Sequence, residues 1–230
     1  MKNLILNSLL FFAVFSQAQK IDKQNAIVTL RGSIGIPKSV SSQMFRTAFN
    51  GVYEVNFNVN VRLFSNFYAG GGYQNTFFQN NREVFVFYRV KNGSLAYETK
   101  LINQAGYLKL GFDKFFSERG YMSYSLNSGF VSCNYLNVNN DTSALNKPFV
   151  KKTFQAPYIQ PELSLNVIVD KTLSFGFILS YTTLFYKFDP KAPRFNHVEE
   201  VSTKKNSHFI SWFNLGIGFH VLINGKAKAA

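Results

Sequence analysis

His197, His208 and His220 are the side chains of this 230-residue sequence that could act as general bases near neutral pH. His208 stands beside Ser207 and Ser211, with Glu199 and Glu200 upstream, so a nucleophile, a base and an orienting carboxylate occur within one short stretch. Such a set works only within mutual hydrogen-bond reach, and its spacing here follows no esterase pattern. Gly70-Gly71-Gly72 lacks the Lys-Ser/Thr that would make it a phosphate loop, so it reads as a strand bend. No metal-ligand cluster or nucleotide motif is present, and no cofactor is expected. Cys133 is the single cysteine, so the fold stands without an intrachain disulfide.

A second group of candidates is ionic: Arg31, Glu54, Arg62, Lys109, Asp113 and Glu162. Each falls on the polar face of a segment with period-two alternation. Val52–Leu63 shows the pattern best. Tyr53, Val55, Phe57, Val59, Val61 and Leu63 share one face, and Glu54, Asn56, Asn58, Asn60 and Arg62 share the other. That polar face is mostly neutral amide, which is unusual for a surface washed by water.

Eight strands of this kind follow one another. The first is Ala26–Ile36, expected to end at Pro37 because proline cannot donate to a ladder. Then come Val52–Leu63, Phe67–Phe77, Ile102–Phe112, Tyr121–Ser132, Tyr158–Val169, Leu173–Tyr186 and Phe209–Ile223. Lys38–Ala48 reads as a polar connection, and Pro161 as a blemish tolerated near a strand end or bulge. The connections run long, short, long, short, long, short, long, so the four long ones emerge together and the three short turns emerge opposite. Outer-membrane barrels have this even strand count and this asymmetry of loops and turns.

Composition agrees. Aromatics make up 17% of the chain, with 26 Phe and 12 Tyr, against only 16% charged residues. Residues 1–18 read as a secretory signal peptide, with Lys2, an apolar Leu4–Phe15 and a small-residue site at Ser16-Gln17-Ala18. No later run is long and apolar enough for a spanning helix. A soluble ligand-binding barrel would need a charged exterior, whereas here the polar face carries only scattered charges. Phe64, Phe67, Phe112, Phe115, Phe116 and Tyr121 near the turns, and Tyr53, Tyr158, Phe185, Tyr186 and Phe209 near the loops, are expected to form aromatic girdles.

From Ala26 to Ile223 the chain resembles the small eight-stranded outer-membrane proteins, the class of the OmpA transmembrane domain and OmpX. The resemblance lies in strand count, loop asymmetry and the glycine-and-aromatic last strand, Trp212-Phe213-Asn214-Leu215-Gly216-Ile217-Gly218-Phe219. It implies an all-β fold, a closed antiparallel up-and-down barrel in the outer membrane of a Gram-negative cell. On that reading residues 19–25 are an N-terminal periplasmic segment, 26–223 the barrel and 224–230 a periplasmic tail.

In so narrow a barrel the charges must be paired inside the lumen. Arg31, Lys109 and Glu162 are expected near mid-height, with Glu54 higher and Arg62 and Asp113 lower, and Glu162 accepting from Arg31 or Lys109. A structural plug is expected in preference to a transport path. Each long connection carries two more basic than acidic residues. Lys151, Lys152, Lys204 and Lys205 therefore either contact lipopolysaccharide phosphates or are merely solvated. Val84, Phe85, Val86, Phe87 and Tyr88, in a hairpin between Gln79 and Lys100, either pair with a partner or pack on neighbouring loops. The expected role is non-enzymatic: structural, adhesive or partner-binding, with outer-membrane lipids, lipopolysaccharide and another envelope protein as the expected partners and nucleic acid excluded by export. The alternatives are a lipid A acyl hydrolase or transferase, since some barrels of this size do that chemistry, and a secreted soluble barrel.

Overall fold

A computed structural model describes residues 26–40, 43–64, 66–81, 86–90, 93–138, 151–188 and 209–224. The strands are β1 (Ala26–Ser39), β2 (Phe49–Phe64), β3 (Phe67–Asn80), β4 (Val86–Val90), β5 (Gly93–Phe115), β6 (Gly120–Val138), β7 (Lys151–Asp170), β8 (Leu173–Lys187) and β9 (Phe209–Asn224). One short helix, α1 (Gln43–Ala48), lies between β1 and β2. Eight of the strands, all but β4, pair antiparallel with their sequence neighbours. β3 pairs with β5, and β9 returns to β1 to close the wall. The result is a closed eight-stranded meander barrel.

The alternation in sequence becomes an alternation of solvents. On β2, Glu54, Asn56, Asn58 and Asn60 are at most 5% exposed, while Val55, Phe57, Val59 and Val61 are 39–52% exposed. On β5, Lys109 is buried and its neighbours Leu108 and Leu110 are exposed. This inverts the arrangement of a water-soluble domain, where apolar side chains face in. An apolar exterior around a polar, filled interior satisfies every backbone group within the wall and presents hydrocarbon to hydrocarbon, as a membrane-spanning barrel requires.

Three readings of the chain need correction. β1 does not stop at Pro37 but runs to Ser39, paired with Trp212 of β9. Its pairing with β2 ends at Gly35, so Pro37 sits beyond that ladder, where a missing N–H is tolerated. The strand expected at Ile102–Phe112 is the lower part of β5. Thr99, Leu101 and Asn103 keep one unbroken inward phase, so the second arm of the hairpin is the same strand as the wall. β4 pairs with that arm, Val86 opposite Tyr97 and Val90 opposite Gly93. Lys38–Ala48 is not simply polar connection, because Phe45 and Ala48 of α1 are fully buried.

Pro161 lies within β7, exposed on the outer face, and the β7–β8 ladder passes from Ile159–Thr183 to Glu162–Ser180 without pairs between. A register shift on β2 between Gly51 and Tyr53 reverses the phase of the strand. Phe49 and Glu54 consequently both point inward, and Val52 and Tyr53 both point out.

Candidate functional site

The lumen is the place where the chain concentrates polar side chains, and it is layered. At the turn end, Arg31 donates to the Tyr68 hydroxyl at 3.0 Å and pairs with Asp113 at 3.4 Å. Its guanidinium lies 4.4 Å from the centre of the Tyr68 ring, which adds a cation–π contact. Ser123 donates to the same Asp113 carboxylate. Beside them the Tyr121 hydroxyl joins His220 Nδ1 at 2.8 Å and Ser174 Oγ at 3.0 Å. Arg62 lines a small cleft here with Thr29 and Asn66.

At mid-height Lys109 Nζ donates to Glu162 at 2.7 Å, and Asn127 supplies a second donor at 3.4 Å. Arg31 is thus committed to Asp113, and Lys109 takes the Glu162 carboxylate. Removing two charges from water is tolerable here because each faces its opposite and further hydrogen bonds use the remaining lone pairs. Beside the pair runs an amide ladder along β2: Asn60 donates to Asn58 at 2.7 Å and Asn58 to Asn56 at 3.3 Å. Tyr107 closes it by donating to Asn56. The i, i+2 spacing of a strand is what stacks these amides.

Above this level stands Glu54. Its carboxyl accepts from Trp212 Nε1 at 2.8 Å, Thr76 Oγ1 at 3.1 Å and Gln160 Nε2 at 3.2 Å. All three donors are neutral. Unlike Glu162 and Asp113, Glu54 is held by hydrogen bonds without an ion pair among the described residues.

Directly over Glu54 the lumen turns apolar. Phe45 of α1 packs against Phe49, Phe78 and Phe188, with ring centres 5.2, 5.5 and 5.3 Å apart. Phe78 meets the edge of Trp212 at 5.4 Å, and Leu101, Leu184 and Ile210 complete the cluster. Aromatic pairs at these separations gain beyond their buried area. Phe45, Phe49, Phe78 and Phe188 escape notice in the sequence because they lie past the expected strand ends, although Phe78 keeps the phase of Gln74 and Thr76. Tyr121 and Tyr158, expected in the outer girdles, are buried inside, and Tyr186 packs against this inner cluster. Their phase explains it, since Tyr158 alternates with Gln160 and Tyr121 with Ser123. Among the expected girdle residues Phe64, Phe67, Phe116, Tyr53, Phe185 and Phe209 are exposed outside.

Among the described residues, side chains fill the lumen and leave only small spaces. The space below the seal, lined by Gln74, Asn103, Tyr158 and Trp212, has room for about one water molecule, as does the cleft at the turn end.

Of the histidine and serine candidates, His220 is the base described, and it serves the Tyr121 network inside the barrel. Ser211 is buried and accepts from the Tyr181 hydroxyl at 2.9 Å. His197, Glu199, Glu200, Ser207 and His208 lie outside the described residues, as do Val84, Phe85, Lys204 and Lys205. So do residues 1–18, expected to be a signal peptide, residues 19–25 and the residues after Asn224. Val86, Phe87 and Tyr88 belong to β4, and Lys151 and Lys152 open β7; the side chains of these five are not described.

No family model matches the chain, and no curated protein matches it. Among solved structures, it is similar to Neisserial surface protein A at 10% identity, over 85% of this chain and 97% of that one, with a TM-score of 0.49. The attachment invasion locus protein of Yersinia pestis aligns at 10% identity over 85% and 99% of the two chains, TM-score 0.44. The outer membrane protease OmpT of Escherichia coli aligns at 10% identity over 86% and 94%, TM-score 0.44. On the geometry described above, eight meandering strands closed edge to edge with polar side chains inside and apolar ones outside, the chain is a small transmembrane β-barrel of the OmpA and OmpX architecture.

Proposed function

We propose that this barrel sits in an outer membrane with its short turns toward the periplasm, and that its non-enzymatic task is carried by the loop-side surface and not by the lumen. The observation that carries this reading is the aromatic seal over a lumen filled by ion pairs and amide ladders, which leaves no route for solute. The wall then rises unevenly on the loop side. β5, β6 and β7 run for 23, 19 and 20 residues, against 14 to 16 for β1, β2, β3, β8 and β9. At about 3.3 Å per residue the surplus is a projecting sheet, to which β4 adds a short edge. Among the described residues β4 pairs on one side only, and such an edge is suited to strand addition by a partner and supports a structural, adhesive or accessory-subunit role.

Acyl-chain chemistry on lipid A would need a serine–histidine pair at the lipid-facing surface. His208 and Ser207 lie outside the described residues, and among the described ones Ser174 and His220 are bridged by Tyr121 in the interior.

Two measurements test the reading. The purified chain in planar bilayers should carry no steady current, and an open conductance in the wild type would overturn the sealed-lumen assignment. Crosslinking in intact cells from single cysteines placed in β4, in a Cys133→Ser background, should capture an envelope protein. The same cysteine at a lipid-facing position such as Leu108 should capture none.

A further inference from the structure

Gln74, Asn103 and Tyr158 are each at most 2% exposed, and all three line the small cavity beneath the aromatic seal. Gln74 Oε1, both amide atoms of Asn103 and the Tyr158 hydroxyl have no hydrogen-bond partner among the described residues. Among those residues Asn103 is the one buried amide with neither end partnered. A buried polar atom left in this way bears the full cost of its lost hydration, so four around one cavity call for an occupant.

The register explains why space remains at this height. Gln74 stands opposite Ala105, and Ala105 opposite Val131, so two short side chains follow Gln74 along its row. Both line the cavity, which has the size of about one water molecule. The polar atoms specify what fits. The Tyr158 hydroxyl and Asn103 Nδ2 can donate, and Gln74 Oε1 and Asn103 Oδ1 can accept. A metal cation wants acceptors alone and an anion donors alone. Water uses both kinds at once.

The same atoms lead to Glu54. Gln74 Nε2 donates to Thr76 Oγ1 at 3.2 Å, and Thr76 Oγ1 donates to the Glu54 carboxyl at 3.1 Å. Thr76 is in register with Glu54 on one side and with Asn103 on the other. A donor feeding Gln74 Oε1 lengthens this chain, and each bond in such a chain polarises the next. Glu54 has no ion pair among the described residues, so dipoles aimed at it stand in place of a countercharge.

We propose that the cavity is a binding site for one water molecule, which accepts from the Tyr158 hydroxyl and Asn103 Nδ2 and donates to Gln74 Oε1. The water completes a single line of donors running from Tyr158 through water, Gln74 and Thr76 to Glu54. This site depends on neither the loop-side partner nor the membrane in which the barrel sits.

The test uses the full chain, isotope-labelled and refolded in detergent micelles. A nuclear Overhauser contact of bound-water sign should join water to the Asn103 Nδ2 protons and to the Ala105 methyl group. Absence of that contact in the wild type overturns the site. The sign of a stability change gives a second reading. Asn103→Leu should lower the urea midpoint, because it removes a partner of the water. A raised midpoint means a dry cavity, where two unmet polar atoms have been exchanged for hydrocarbon, and overturns the proposal. Tyr158→Phe keeps the ring and should favour unfolding about fivefold, the loss of one hydrogen bond. In a Glu54→Gln background its effect should be smaller; an equal effect in both backgrounds overturns the line to Glu54. A wild-type midpoint that falls on refolding with choline in place of sodium makes the occupant a cation, and overturns the assignment to water.

Discussion

Below Glu54 the lumen is filled by charge and amide, and above it by rings. Arg31–Asp113 and Lys109–Glu162 hold the lower part through long-range partners on β1, β5 and β7. Phe45, Phe49, Phe78 and Phe188 hold the upper part through contacts between α1, the loop ends of β2 and β3 and the residue after β8. The same wall builds both, so the difference lies in what each half must exclude. The lower half sits inside a hydrocarbon layer and neutralises the dipoles of its own wall. The upper half stops water from the loop side reaching the ionic layer, where it would weaken every pair. Glu54 is the hinge between them: it takes the Trp212 N–H from the apolar cluster and the Gln160 amide from the polar one.

The largest test of this contrast is Lys109→Met. It strands the Glu162 carboxylate and should lower stability by about 3–5 kcal/mol, read as the urea midpoint of the barrel in detergent. Adding Glu162→Leu should restore most of the loss; if the double variant is as unstable as the single one, the pair is not an isolated unit.

Phe49→Ala attacks the other half and should cost about 3–4 kcal/mol through the cavity it leaves. Unlike Lys109→Met, it should speed deuterium exchange at Trp212 Nε1 seen from the loop side, whereas an unchanged exchange rate would mean that the rings are packing but not sealing.

Trp212→Phe tests the joint. Removing one of three donors from Glu54 should cost about 1–3 kcal/mol, visible by the same urea titration, and Glu54→Gln in that background should recover part of it.

The smallest effect is expected outside. Leu108→Ala on the lipid face should change stability by less than about 1 kcal/mol, because lipid replaces lipid-facing contacts where water cannot enter. A loss as large as that of Phe49→Ala would show that this position packs against protein.

Most of the wall was legible in the chain. Alternation over Val52–Leu63 placed Asn56, Asn58 and Asn60 on one face, and the order of long and short connections implied a closed meander. The inward phase of Tyr158 and Tyr121 was also written there, but bulky aromatics near strand ends suggest a girdle when phase is not followed strictly. α1 and the seal were not legible. Phe45 lies in a segment with three Ser and one Gln, and the register shift at Gly51 that turns Phe49 inward leaves no mark in composition.

The sequence by itself determined the two faces of each strand, the strand count and the inverted distribution of polarity, because period-two alternation is a local property of an extended backbone. Only the tertiary structure decided which charges pair. Arg31 and Lys109 both lie within the inward phase, and their choice between Asp113 and Glu162 depends on the stagger of strands far apart in the chain. Closure also decided that the lumen is sealed. Bringing β9 onto β1 leaves a bore narrow enough for four phenylalanines to fill, a consequence of diameter that no single segment contains.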